Sequence, residues 1–120
     1  MMKLLSHLPD NVVGVAASGL VDANDYEAIL IPAIETTLHK HDRIRVLYQL
    51  GPDFIGFTTG AMWDDAKVGL AYWKVWERVA VVTDVPWVAH ATRMFKFLMP
   101  SVVRVFSLNE QADAEKWIAA

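Results

Sequence analysis

The segment HKHD brings His39, His41 and Asp42 together within four residues. Imidazole nitrogen and carboxylate oxygen are ordinary zinc ligands, so the chemistry on offer would be metal binding. On a helix, however, positions two apart point about 200° away from each other, so a shared ion needs the helix to have ended already. A solvated helix end is the simpler reading, and no metal site is expected. Asp64 and Asp65 raise a second prospect, paired carboxylates for acid–base work. Adjacent residues on a helix diverge by about 100°, which takes them apart. Tyr48, Asp84, His90 and Arg93 are the remaining polar groups with a claim to a reaction centre, and nothing in their spacing makes them converge. The chain contains no cysteine, which removes disulfides, thiolate metal sites and thiol nucleophiles. It also has no P-loop, G-x-G-x-x-G, G-x-S-x-G or H-E-x-x-H motif. No catalytic residue, cofactor or enzyme activity is expected from these residues.

The chain behind those side chains is 120 residues long, enough for a single domain spanning 1–120 that buries a real core. Its apolar share, 54%, is above the usual soluble value. The first eleven residues, MMKLLSHLPDN, read as too short for a signal peptide, and no apolar run reaches membrane-spanning length. The cytoplasm is the default expectation. A net charge of −3 argues against a general nucleic-acid partner. The charge is uneven, because residues 66–105 hold six basic side chains (Lys67, Lys74, Arg78, Arg93, Lys96 and Arg104) against Glu77 and Asp84.

The elements that must position any site follow from periodicity. Residues 3–7 and 12–20 read as an opening hairpin with a turn at PDN. Residues 22–41 read as a helix with Asp22 as N-cap and a bend at Pro32. IRVLYQL, 44–50, is a strand apolar on both faces, followed by a Gly-rich loop. Residues 61–77 read as a helix that Thr59 could cap, 78–84 as a strand, 85–99 as a helix stopped by Pro100, and VVRVFSL as the last strand. SLNE is a capping box opening a final helix that turns Ala114, Trp117 and Ile118 inward. The fold class is α/β, with a mainly parallel five-stranded sheet, an N-terminal antiparallel hairpin and four helices.

Four phrases in this order, GLVDANDYEAILIPAIE, RVLYQL before a Gly-rich loop, RVAVVTDVPWV and VRVFSLNEQADAEKWI, resemble the STAS-like proteins and within them the SpoIIAA-like branch. The resemblance spans nearly the whole chain. It implies a sheet-and-helix sandwich without a catalytic constellation, and a fold-level likeness to the lipid-carrying CRAL-TRIO domains. The anti-sigma-factor antagonists of this family are switched by phosphorylation of a serine that follows an Asp. The matching region here, FIGFTTGAMWDD, has no Asp-x-Ser, and Thr58 and Thr59 are its nearest hydroxyls.

The aromatic and basic residues are the more informative set. On a wheel of about 100° per residue, Trp87, Ala91, Met94, Phe95 and Leu98 form one stripe of the helix over 85–99, with Phe97 and Met99 outside it. Met62, Ala66, Leu70, Trp73 and Trp76 form a stripe on 61–77, with Val68, Ala71 and Val75 on another side and Trp63, Lys67 and Lys74 between. Both helices therefore carry more apolar surface than one sheet face needs. Three uses of that surplus are open. It can be ordinary core, the wall of a cavity for a lipophilic small molecule, or an exposed patch for another chain or a bilayer. The cavity reading assigns Met62, Leu70, Trp73, Trp76, Trp87 and Met94 to ligand binding. The patch reading assigns Trp63, Lys67, Lys74, Arg93, Lys96 and Phe97 to an anionic membrane surface or a partner, with Lys stems lying along apolar surface. Under it the protein sits in the cytoplasm, peripheral to the inner face of the membrane. The alternative is a regulatory interaction domain that buries the same surface in a homodimer.

Overall fold

The computed structural model describes residues 1–96 and 102–120, apart from the side chains of Phe95 and Lys96. Its strands are β1 (Met2–Leu4), β2 (Val12–Val21), β3 (Ile44–Phe57), β4 (Trp76–Val82) and β5 (Val103–Phe106), paired in that order across one five-stranded sheet. β1 runs antiparallel to β2, and every later pairing is parallel. Each parallel strand is thus laid beside its predecessor in the same direction. Right-handed crossovers then put every connecting helix on the same face. Those helices are α1 (Ala23–Asp25) continuing through a π turn (Tyr26–Leu30) into α2 (Ile31–Leu38), then α3 (Thr59–Ala71) and α4 (Pro86–Lys96). The opposite face is left to α5 (Gln111–Ala119), entered through a 3-10 turn at Leu108–Glu110.

The strands feed both faces, as their sequences require. Ile44, Val46, Tyr48 and Leu50 of β3 join the core under the crossover helices, while Leu47 joins the core under α5. Arg45 shares the α5 side. Its guanidinium donates to the carbonyls of Ile118 (2.9 Å) and Ala120 (3.1 Å) and to Glu77, tying down the C-terminal end of α5 where the helix dipole favours a cation. Arg78 donates to the Trp117 carbonyl at 2.6 Å, and Arg78 and Arg104 both stack on the Trp117 ring. Two of the six basic side chains in 66–105 are therefore fastening α5. The local positive charge does not form one surface.

Gly14 of β2 sits where Leu5 and Leu8 cross the sheet on this α5 side. A Cβ there would lie 2.3 Å from Leu8 Cδ1 and 3.2 Å from Leu5 Cβ. Gly14→Val is expected to cost about 1–3 kcal/mol of stability through overpacking, read as a lower urea midpoint at unchanged slope.

Several boundaries differ from the sequence reading, each for a local reason. β1 stops at Leu4, because Leu5 and Leu8 turn into the α5-side core. The single helix expected over 22–41 is interrupted by the π turn. Pro32 has no N–H and its ring collides with the carbonyl four residues back, so Ile31 bonds instead to Tyr26 O, five residues back. Asp22 caps α1 through a box shared with Asp25, as expected. β3 runs to Phe57 instead of looping after Leu50. Beyond Gln49 it pairs only with β2, so Pro52 meets no missing ladder bond towards β4. The register shifts needed there fall around Gly19, whose φ of +58° suits glycine. α3 ends at Ala71 instead of running to 77, and Trp76 opens β4 by pairing with Ile44, with Glu77 at the register shift before Arg78 pairs with Arg45. Thr58, not Thr59, caps α3. β5 covers only Val103–Phe106, and the Ser107–Glu110 capping box follows it as expected.

Candidate functional site

Among the described residues, the face under the crossover helices is incompletely filled. α3 buries only Ala61, Asp64 and Val68, and Val88 is the buried apolar residue of α4 among those described. The backbones of α3 and α4 make few close approaches to one another among the described residues. Between them and the sheet lies a cavity of about 410 Å³. This is within the range of small-molecule pockets, roughly 300–1,000 Å³. Its floor is Val46, Tyr48, Leu50, Val79, Val81 and Val103, and its far wall is Tyr26, Leu30 and Ile34. α3 contributes Met62, Asp65, Ala66, Val68 and Gly69, and α4 contributes Trp87, Val88, Ala91 and Thr92. Met62, Asp65, Ala66, Trp87 and Ala91 are also exposed, which puts the mouth between the two helices and Asp65 at it.

Both helices present a different row to the sheet than the wheel suggested. α3 turns in the Val68 row, and α4 turns in Val88 and Thr92, about 100° round from the expected stripe. An apolar arc with no sharp polar edge leaves a helix's rotation undecided. The short link from Val82 sets it here, with Thr83 Oγ1 accepting the Val85 N–H at 3.0 Å. As a result, of the six residues assigned to ligand binding, Met62, Trp76 and Trp87 line the cavity, and Leu70, Trp73 and Met94 do not. Leu70 and Met94 are 73% and 65% exposed, so neither is core nor cavity wall. Trp76 reaches the cavity from β4, not from a helix, with its Nε1 directed at the Gly69 carbonyl. Trp87 packs edge-on to Phe57.

The surface set is dispersed. Trp63 is 67% exposed on α3 and Arg93 is exposed on α4. Lys67 lies 3.5 Å from Asp64, and Lys74 lies over the Trp73 ring. Lys96 closes α4 with its side chain outside the described residues. Phe97 falls outside them entirely, as do Leu98 and Met99. Asp84 is occupied structurally, its carboxylate accepting the Leu108 N–H at 3.0 Å. Among the described residues no group of three His, Asp or Glu side chains is placed to hold a metal.

The polar feature of the cavity is one that sequence reasoning missed. Tyr26 and Tyr48 meet hydroxyl to hydroxyl at 2.9 Å, and the Tyr26 hydroxyl donates to Asp65 Oδ1 at 2.8 Å. Since Tyr26 spends its proton on Asp65, Tyr48 must donate to Tyr26, and the chain of donors runs toward the carboxylate. Asp65 is exposed at the cavity mouth, although protein atoms crowd around its carboxylate. Desolvation raises its carboxyl above the ordinary 3.8, partly opposed by the Tyr26 hydrogen bond. Burial likewise drives both phenols upward. The signal was present as two tyrosines at inward positions of otherwise aliphatic runs, a choice that buries a hydroxyl needing a partner. Asp64, by contrast, does not line the cavity; it is 4% exposed, and its Oδ2 has no hydrogen-bond partner among the described residues.

The raised carboxyl has a consequence for stability. The folded state holds this proton more tightly than the unfolded chain. Asp65's contribution is therefore most favourable below its unfolded pKa and is lost as pH rises through the higher folded value. Asp65→Asn should be more stable than wild type at neutral pH, and the difference should close on acidification towards the ordinary aspartate range. Urea unfolding at the two pH values checks it.

The SpoIIAA-like family model matches residues 12–119. The chain belongs to the SpoIIAA-like family. A crystal structure from Shewanella loihica PV-4, of an uncharacterized protein from the DUF3478 family with a SpoIIAA-like fold, is similar over 98% of this chain and 92% of its own, at 26% identity and a TM-score of 0.76. No curated protein matches. This SpoIIAA-like domain is thus consistent with a small binding or regulatory module. Thr58, one of the two hydroxyls of the FIGFTTG stretch, caps α3, its Oγ1 accepting the Ala61 N–H at 3.1 Å. Among the described residues no helix is long and apolar enough to cross a membrane.

Proposed function

We propose that this SpoIIAA-like domain is a non-enzymatic binding module that holds a lipophilic small ligand between α3, α4 and the sheet. The observation that carries this reading is the cavity of about 410 Å³, walled mostly by aliphatic and aromatic side chains, with exposed lining residues on both α3 and α4. Apolar ligands bind by replacing water against such walls, and a few polar groups then set orientation. Met62, Trp76 and Trp87 are the wall residues already singled out by their types. Titration with an environment-sensitive apolar fluorophore should give saturable one-site binding. Failure to saturate would reject the reading.

The same proposal includes transient contact with an anionic membrane at the mouth. Its support is a set of large exposed side chains, Met62, Trp63 and Leu70 on α3, Trp73 just after it, and Trp87 and Met94 on α4, accompanied by the exposed Lys67 and Lys74. Aromatic side chains with neighbouring lysines suit a bilayer interface. Sedimentation with anionic vesicles at low salt should carry the protein down, and salt or Lys67→Glu with Lys74→Glu should release it. A salt-insensitive dimer without vesicle binding would favour the second reading, a regulatory domain that buries this face against a copy of itself.

A further inference from the structure

The cavity's polar inventory bears on what kind of molecule enters it. Its lining side chains with polar atoms are Tyr26, Tyr48, Asp65, Thr92 and Trp76. The donors among them are engaged. Tyr48 and Tyr26 donate along the chain that ends at Asp65 Oδ1, Thr92 Oγ1 donates to the Val88 carbonyl at 2.8 Å, and Trp76 Nε1 points at the Gly69 carbonyl. No lysine, arginine or histidine lines the cavity among the described residues. What remains is acceptor capacity, concentrated at Asp65 Oδ2, which has no protein donor among the described residues. A ligand bringing a carboxylate would set two acceptors and two like charges against each other at the mouth of a largely apolar cavity. A ligand bringing a cationic donor would complete the carboxylate.

We propose that the ligand is a lipophilic amine, its ammonium group hydrogen-bonded to Asp65 Oδ2 and its apolar body lying along Val46, Val81 and Trp76. This rests on the binding-module reading above and adds the chemistry of the ligand's polar end. The geometry meets the requirement that makes a partly buried ion pair tolerable, because the other carboxylate oxygen is already satisfied by Tyr26. It also gives a role to the carboxylate at the mouth of a cavity whose remaining walls are mostly apolar.

The test is competition at neutral pH against the bound fluorophore by decylamine, decanol and decanoate, each below its micelle-forming concentration. Decylamine should displace at a concentration roughly tenfold or more below decanoate, with decanol between them, the ratio expected for one charge-assisted hydrogen bond. Asp65→Asn should bring decylamine and decanol together. Asp64→Asn, one residue away but outside the cavity, should leave the order unchanged and controls for general electrostatics. Decanoate competing as well as decylamine, or an amine preference that survives in Asp65→Asn, overturns the proposal while leaving the binding module standing. A fluorophore that never binds overturns both.

Discussion

Tyr26→Ala is expected to destabilise the domain by about 3–5 kcal/mol, the cost of deleting a large buried ring. A domain of this size has a total stability of roughly 5–15 kcal/mol, so the variant should lose a large fraction of it. The ring is fully buried at the start of the π turn, where helix α1, the cavity and the Tyr48 ring meet. Tyr26→Phe separates packing from hydrogen bonding. It keeps the ring but leaves the buried Tyr48 hydroxyl and Asp65 without their common partner, at a cost of about 1–3 kcal/mol. Equilibrium urea unfolding of the three proteins at matched slope reads both numbers. A neutral Tyr26→Phe would mean that the hydroxyl chain is not an energetic unit.

Val81→Trp is expected to abolish ligand binding without unfolding the protein. Val81 lies mid-floor, next to Val46 and Val79 around the cavity and away from the α5 side. In a close-packed core the added volume would force strain. Here it projects into a void of about 410 Å³. Filling that void with apolar ring should leave stability equal or higher and remove the space a ligand needs. The fluorophore affinity should fall at least roughly tenfold, since little buried apolar area remains to a ligand. A large loss of stability would show that the void closes in solution.

The layout of this fold was readable because each strand announces which faces are covered. VVGVAAS and VAVV are apolar at successive positions, as parallel strands under helices must be, and Asp22 and the Ser107–Glu110 box mark helix starts. What periodicity could not supply was rotation and length for α3 and α4. Where apolar residues wrap most of a helix, as with Trp87 to Met94, any of several rows can face the sheet. The strand–helix link then decides. The same ambiguity made Trp73 and Trp76 look helical, although only pairing with Ile44, thirty-two residues back from Trp76, commits that stretch to β4. The surplus of apolar side chain on these helices was visible from composition. Its division into a cavity wall (Met62, Trp87) and an outer surface (Trp63, Leu70, Met94) was not. Asp65 was passed over because it was weighed as half of a carboxylate pair with Asp64, whereas its partner is a tyrosine thirty-nine residues earlier in the chain.

The central claim is that the space beneath α3 and α4 is where a ligand sits. Native mass spectrometry of gently purified wild type and Val81→Trp, each exposed to the same cell extract and then to decylamine, tests it most directly. The account predicts a discrete one-to-one adduct on the wild type that organic solvent releases, and none on Val81→Trp. An adduct of equal occupancy on both proteins, or on neither, would contradict it.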